Sequence, residues 1–78
     1  MIRLDYASPM AVDALRQPAT HAVFDALRNL PVHGTVRLTW YRPERRWVAA
    51  VHVAGEQIEA RERSLAEALR TLIEQVTA

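Results

Sequence analysis

Residues 35–60 alternate apolar and polar side chains with a period of two, whereas residues 64–76 repeat theirs with the period of a helix. In the first region Val36, Leu38 and Trp40 alternate with Thr35, Arg37, Thr39 and Tyr41. Trp47, Ala49, Val51 and Val53 then alternate with Val48, Ala50 and His52, and Ile58 and Ala60 continue the pattern. A period of two sends successive side chains to opposite faces of a sheet, so the spacing predicts three strands. The connection PERR (43–46) has Pro43 placed to open a type I turn, and Gly55-Glu56 suits a two-residue loop with Gly first. These turns set a register. Arg42 would pair with Trp47, Trp40 with Ala49, Leu38 with Val51, and Val36 with Val53; Val53 would pair with Ile58, and Val51 with Ala60. Every large apolar residue of the meander then lies on one face. Trp40 and Trp47 become diagonal neighbours in the core, with small Ala49 opposite bulky Trp40 and Arg42 stacked across from Trp47.

The helices are marked at their starts. Ser8-Pro9 is an N-cap followed by Pro at the first helical position. Pro18 interrupts that helix or restarts it. From Ala19 to Leu30 the spacing of Val23, Leu27 and Leu30, with Phe24 beside them, predicts an amphipathic helix that Pro31 and Gly34 end. Ser64 and Glu67 form a capping box before an apolar stripe of Leu65, Leu69, Leu72, Ile73 and Val76. Arg70 and Glu74 are spaced for an i,i+4 pair. Ile2, Leu4 and Tyr6 alternate with Arg3 and Asp5, a pattern open to an extra N-terminal strand or an extended arm. The expected fold is α+β, a two-layer sandwich. It has a three-stranded antiparallel meander with the N- and C-terminal helices on one face, in the order αβββα.

Seventy-eight residues form one domain, 1–78, whose chain buries roughly 60–65% of its unfolded surface. There is no Cys to supply a disulfide or a thiolate metal site. No stretch suits a signal peptide or reaches the roughly 20 apolar residues of a membrane span, so a cytoplasmic protein is expected, with no membrane partner. All ten basic residues are Arg, against nine acidic ones, for a net charge of +1. That is no global signature for nucleic acid. The excess sits in residues 34–63, which carry six Arg and four Glu.

Catalytic chemistry is missing. Ser8 and Ser64, the only serines, serve as helix caps, and no nucleophile elbow, phosphate loop or metal-ligand spacing occurs. Glu59 and Glu62 fall on opposite sheet faces, which is wrong for shared acid–base work. The chain is not expected to be an enzyme, nor to use a cofactor or metal.

What remains is surface. Arg45 and Arg46 project from the hairpin tip. The face away from the helices carries Arg37, Thr39, Tyr41, His52, Glu59 and Arg61 around an apolar centre of Val48 and Ala50, with Arg37, His52 and Glu59 in one cross-strand row. Arg and Tyr are residue types enriched at interaction hot spots. The candidate partner-binding residues are therefore Arg37, Tyr41, Arg42, Arg45, Arg46, Val48, His52 and Arg61. The expected partner is a protein, or a second copy making a homodimer. In size and lack of chemistry the chain is similar to small stand-alone regulators, such as antitoxins and the inhibitors carried by phages and mobile elements.

The stretch VHVAGEQIEARERSLAEALRTL, within residues 20–77, resembles the double-stranded-RNA-binding domain family. It has a strand ending near Gly, a short strand, then a helix opening after Ser with Ala and Leu on its buried face. The resemblance implies the αβββα order and, as an alternative function, nucleic-acid binding. The family's first strand–strand loop carries a Gly-Pro-x-His type sequence for the minor groove, and here that loop is RPERR. Its last helix opens with a Lys-rich motif, and here Ser64, Leu65, Ala66 and Glu67 stand there. Arg45, Arg46, Arg61 and Arg63 are left for phosphate contacts, which would give a salt slope of about −3 to −4 on log–log axes.

Overall fold

The sheet has four strands, one more than the meander alone supplies, in the spatial order β1-β2-β3-β4. The computed structural model describes residues 1–78. Its elements are β1 (Ile2–Ala7), α1 (Pro9–Leu15), α2 (Pro18–Arg28), β2 (Gly34–Tyr41), β3 (Arg46–Val53), β4 (Glu56–Glu62) and α3 (Leu65–Thr77). A single 3-10 turn, Arg42–Glu44, joins β2 to β3. The class is α+β, as expected, but the sheet is mixed: β1 runs parallel to β2, while β2, β3 and β4 are antiparallel. The expected order αβββα is thus incomplete. The N-terminal alternation is a strand, and α1 and α2 form the crossover that two neighbouring parallel strands require.

Local sequence explains where the helices begin. Ser8 Oγ accepts from the Ala11 N–H at 3.4 Å, and Pro9 fills the first turn of α1. Pro18, which cannot continue a helix, starts α2 instead. Ser64 Oγ accepts from the Glu67 N–H at 3.1 Å, but the return bond from the Glu67 carboxylate is not made, so half of the capping box forms. Arg70 and Glu74 form no ion pair. The helices bury Ala11, Phe24, Leu27, Leu65, Ala68, Leu69 and Leu72 against Val36, Leu38, Trp47, Ala49, Val51 and Ala60 of the sheet. The expected stripe of α3 is deepest at Leu65, Leu69 and Leu72, whereas Ile73 and Val76 are only half-buried.

Both hairpins differ from the expected register by two residues, and each turn shows why. Pro43 occupies the second turn position, where its fixed φ fits, so the loop is Arg42–Arg45 rather than 43–46. The Arg45 N–H donates to the Arg42 carbonyl at 3.2 Å, and Arg45 takes a left-handed conformation, φ 51°, to re-enter the ladder. The pairs are therefore Tyr41–Arg46, Trp40–Trp47, Leu38–Ala49, Val36–Val51 and Gly34–Val53. In the second hairpin Ala54 (φ 53°) and Gly55 (φ 81°) are the two loop residues. Positive φ at both central positions is the primed turn whose twist matches the strands. Val53 then pairs with Glu56, Val51 with Ile58 and Ala49 with Ala60.

A slip of two changes partners without exchanging faces. The apolar residues of the meander still point at the helices. Trp40 and Trp47 face each other directly, with ring centroids 5.2 Å apart and planes at 61°, an edge-to-face pair. Arg42 lies in the loop and stacks on neither. Gly34 is required where it stands. A Cβ there would lie 2.5 Å from the His52 carbonyl oxygen and 2.7 Å from Val53 Cγ2.

Candidate functional site

The face of the sheet turned away from the helices carries most of the candidate residues, and the ladder decides their neighbours. Tyr6, Arg37, Ala50 and Glu59 form one row, and Arg3, Thr35, His52 and Gln57 the next. The expected row of Arg37, His52 and Glu59 is therefore corrected: Ala50 stands between Arg37 and Glu59, and His52 lies one row further from the tip. Thr39, Val48 and Arg61 make the next row towards the hairpin tip, and Tyr41 and Arg46 the pair nearest it. Val48 and Ala50 are half-buried and Tyr41 is exposed.

Two of the candidate arginines already have carboxylates. Arg37 Nη2 donates to Asp5 Oδ2 at 2.9 Å. Arg61 Nε donates to Glu59 Oε1 at 2.8 Å, and its Nη1 reaches Glu44 Oε2 at 3.3 Å. The hydrogen bond and charge of Glu59, with Glu44 behind them, raise the Arg61 guanidinium above its ordinary value, so it stays cationic throughout the working pH range. Its Cζ also lies 5.7 Å from the centre of the Tyr41 ring. Arg61 therefore links the tip, through Glu44, to the open face, and it stands over Tyr41 there.

The remaining candidate arginines gather at one end of the sheet. Arg42, Arg45 and Arg46 are exposed in and beside the β2–β3 loop and have no acidic partner. Arg63, between β4 and α3, is unpaired as well. Arg45, Arg46 and Arg63 line one cleft of about 350 Å³ with Glu44, whose carboxylate is engaged by Arg61. Elsewhere only Arg3 and Arg70 lack a carboxylate partner, because Arg16 and Arg28 pair with Asp13 and Asp25. The tip is thus the one place where unneutralised positive charge accumulates.

His52 is separated from that cluster. It lies towards the opposite end of the ladder and lines a smaller hollow, about 150 Å³, with Asp5, Thr35, Arg37 and Gln57. The open face also includes Arg3, Asp5 and Tyr6 of β1, which sequence reasoning left out because it did not assign β1 a place in the sheet. The alternation of Ile2, Leu4 and Tyr6 was the available signal. No helix is long and apolar enough to cross a membrane.

None of the protein families, curated proteins and solved structures compared with this chain matches it.

Proposed function

We propose that the chain is a non-catalytic interaction module, of the small inhibitor or antitoxin type, that grips an acidic protein surface in the cytoplasm. The contact would be the hairpin tip, Arg42, Arg45 and Arg46 with Arg63 beside them, continued by Tyr41 and Val48 on the open face. The observation that carries this reading is the segregation of charge. Four guanidiniums without acidic partners share one end of a molecule whose other arginines are largely paired. Arg is well suited to this task, because its planar fork can donate two parallel hydrogen bonds to one carboxylate. Tyr41 adds an exposed aromatic surface beside Arg61.

The test is co-purification from the native cell with and without nuclease, using the wild-type chain and the double variant Arg45→Glu, Arg46→Glu. A stoichiometric protein that survives nuclease and is lost with the double variant supports the reading. Both side chains are exposed, so the variant should melt like the wild type. Retention of the partner by the variant would remove the tip from the interface.

The cleft shared by Arg45, Arg46 and Arg63 favours one second reading, a nucleic-acid backbone. Three phosphate contacts would give a salt slope of about −3 on log–log axes, and duplex RNA or DNA would be retarded in a gel at low salt. Loss of the companion on nuclease treatment would favour it.

A further inference from the structure

We infer that β1 is a self-association edge. It would pair antiparallel with β1 of a second copy, centred on Leu4, to make one continuous eight-stranded sheet.

Backbone geometry fixes which groups are free. The Gly34 N–H donates to the Met1 carbonyl at 3.3 Å, and Ile2 and Leu4 sit opposite Gly34 and Val36. A parallel ladder with that pattern turns the N–H and C=O of Arg3 towards β2 and those of Leu4 outward. Leu4 is thus poised to exchange two hydrogen bonds with Leu4 of another copy. In that register Arg3 lies opposite Asp5 of the second copy, as the closely spaced pair that does not share backbone hydrogen bonds.

The charges fit this register. Arg3 has no acidic partner within its own chain. Asp5 uses Oδ2 to hold Arg37, which leaves Oδ1 for a second donor. Both belong to the open face, Arg3 through its pairing with Thr35 and Asp5 through its bond to Arg37. An isologous contact makes this opposite-charge pair twice.

The apolar surface points the same way. Five of the six exposed large hydrophobic residues lie within the first twelve positions: Met1, Leu4 and Tyr6 in or next to β1, and Met10 and Val12 in α1, which follows it. Leu4 is 45% exposed although it faces the helix side. It lines a groove of about 340 Å³ with Ile2, Phe24 and Arg28, into which Leu4 of the second copy would project. The opposite edge of the sheet, β4, is guarded by Glu56, Glu59, Arg61 and Glu62, as edges that avoid pairing are. The irregularity between Leu4 and Tyr6 interrupts the outward ladder after Leu4, so the pairing is short and confined to one register. The two arginine tips would then stand at opposite ends of the joined sheet and remain free.

The experiment is light scattering over a wide concentration range, with circular dichroism to confirm folding. The wild type should approach twice the 8.9 kDa of one chain as concentration rises. Arg3→Asp and Asp5→Arg should each remain single, since each places like charges face to face. An equal mixture of the two should recover the doubled mass, because the opposite-charge pairs re-form between unlike chains. Leu4→Lys, at a partly exposed position, should also remain single. A wild type of one-chain mass throughout, charge variants that associate normally, or a mixture that fails to recover would overturn the assignment. So would loss of the dimer in Val48→Glu alone, which would move the contact to the open face.

Discussion

Trp47 and Val48 are adjacent in β3, yet they belong to two different surfaces. Trp47 is 8% exposed beneath the helices and meets Trp40 edge to face. Val48 lies between Thr39 and Arg61 on a face that no helix covers. The helix-facing side is a packed layer in which each residue touches several elements. The open side is a set of exposed ion pairs and half-buried apolar groups, whose partners are neighbours within the sheet and its first turn. Stability should therefore be concentrated on one face and recognition on the other.

Truncation is the bluntest way to break that comparison. Trp47→Ala should cost about 3–5 kcal/mol, a large share of what a domain this small possesses, and should lower the denaturation midpoint drastically or prevent folding. Val48→Ala, one residue along, should cost well under half as much. Equal losses in urea melts would mean that the open face is packed against something and the two surfaces are not distinct.

The next effect concerns how closely the strands approach. Gly34 lies between Ile2 of β1 and Val53 of β3. The nearest obstacle to a Cβ there is the His52 backbone carbonyl, which cannot rotate away. Gly34→Ala should cost about 1–3 kcal/mol through displaced strands. Amide exchange should rise along β1 and the start of β2 while α3 stays protected. A variant as stable as the wild type would mean that the strands are spaced more loosely there.

A gain is expected at the second turn. Ala54 holds φ 53°, a conformation that disfavours a Cβ by roughly 1–2 kcal/mol, while Gly55 beside it suits the same turn. Ala54→Asn creates the Asn-Gly pair such turns prefer and should stabilise by about 0.5–1 kcal/mol, raising the melting temperature by a few degrees. A fall in melting temperature would contradict the turn as described, and with it the pairing of Val51 with Ile58.

These turns also mark where the sequence stops being legible. A period of two reports which face a residue takes, and this survived in every strand of the meander. It says nothing about which residue stands opposite, because a slip of two preserves the alternation. The partner depends on where φ turns positive, and here Arg45 and Ala54 take that role without the Gly or Asn that would have announced it. The caps at Ser8 and Ser64 were readable because they are local. The place of β1 was not, since a parallel neighbour is joined by a helical crossover rather than a turn. At the candidate site, the residues of the tip could be read from composition. The pairing of Arg61 with Glu59, two positions away on the same strand face, was within reach of the alternation. The ties of Arg37 to Asp5 and of Arg61 to Glu44 were not, because those partners lie 32 and 17 positions away.

The smallest effect should come from the open face itself. Arg37 and Asp5 make a good 2.9 Å contact, but both side chains are more than half exposed. Water screens such a pair, and ordering a long side chain opposes the gain, so Arg37→Ala should change stability by no more than about 0.5 kcal/mol. The comparison is sharpened by what does move. Without Arg37, the Asp5 carboxylate loses its holder, and chemical-shift changes should be confined to β1, the middle of β2 and Ala50 opposite. The core signals of Trp40 and Trp47 should stay in place. A loss of several kcal/mol, or shifts reaching the tryptophans, would show that the open face supports the fold after all. Its charged pairs would then be structural ties rather than a surface free to meet a partner.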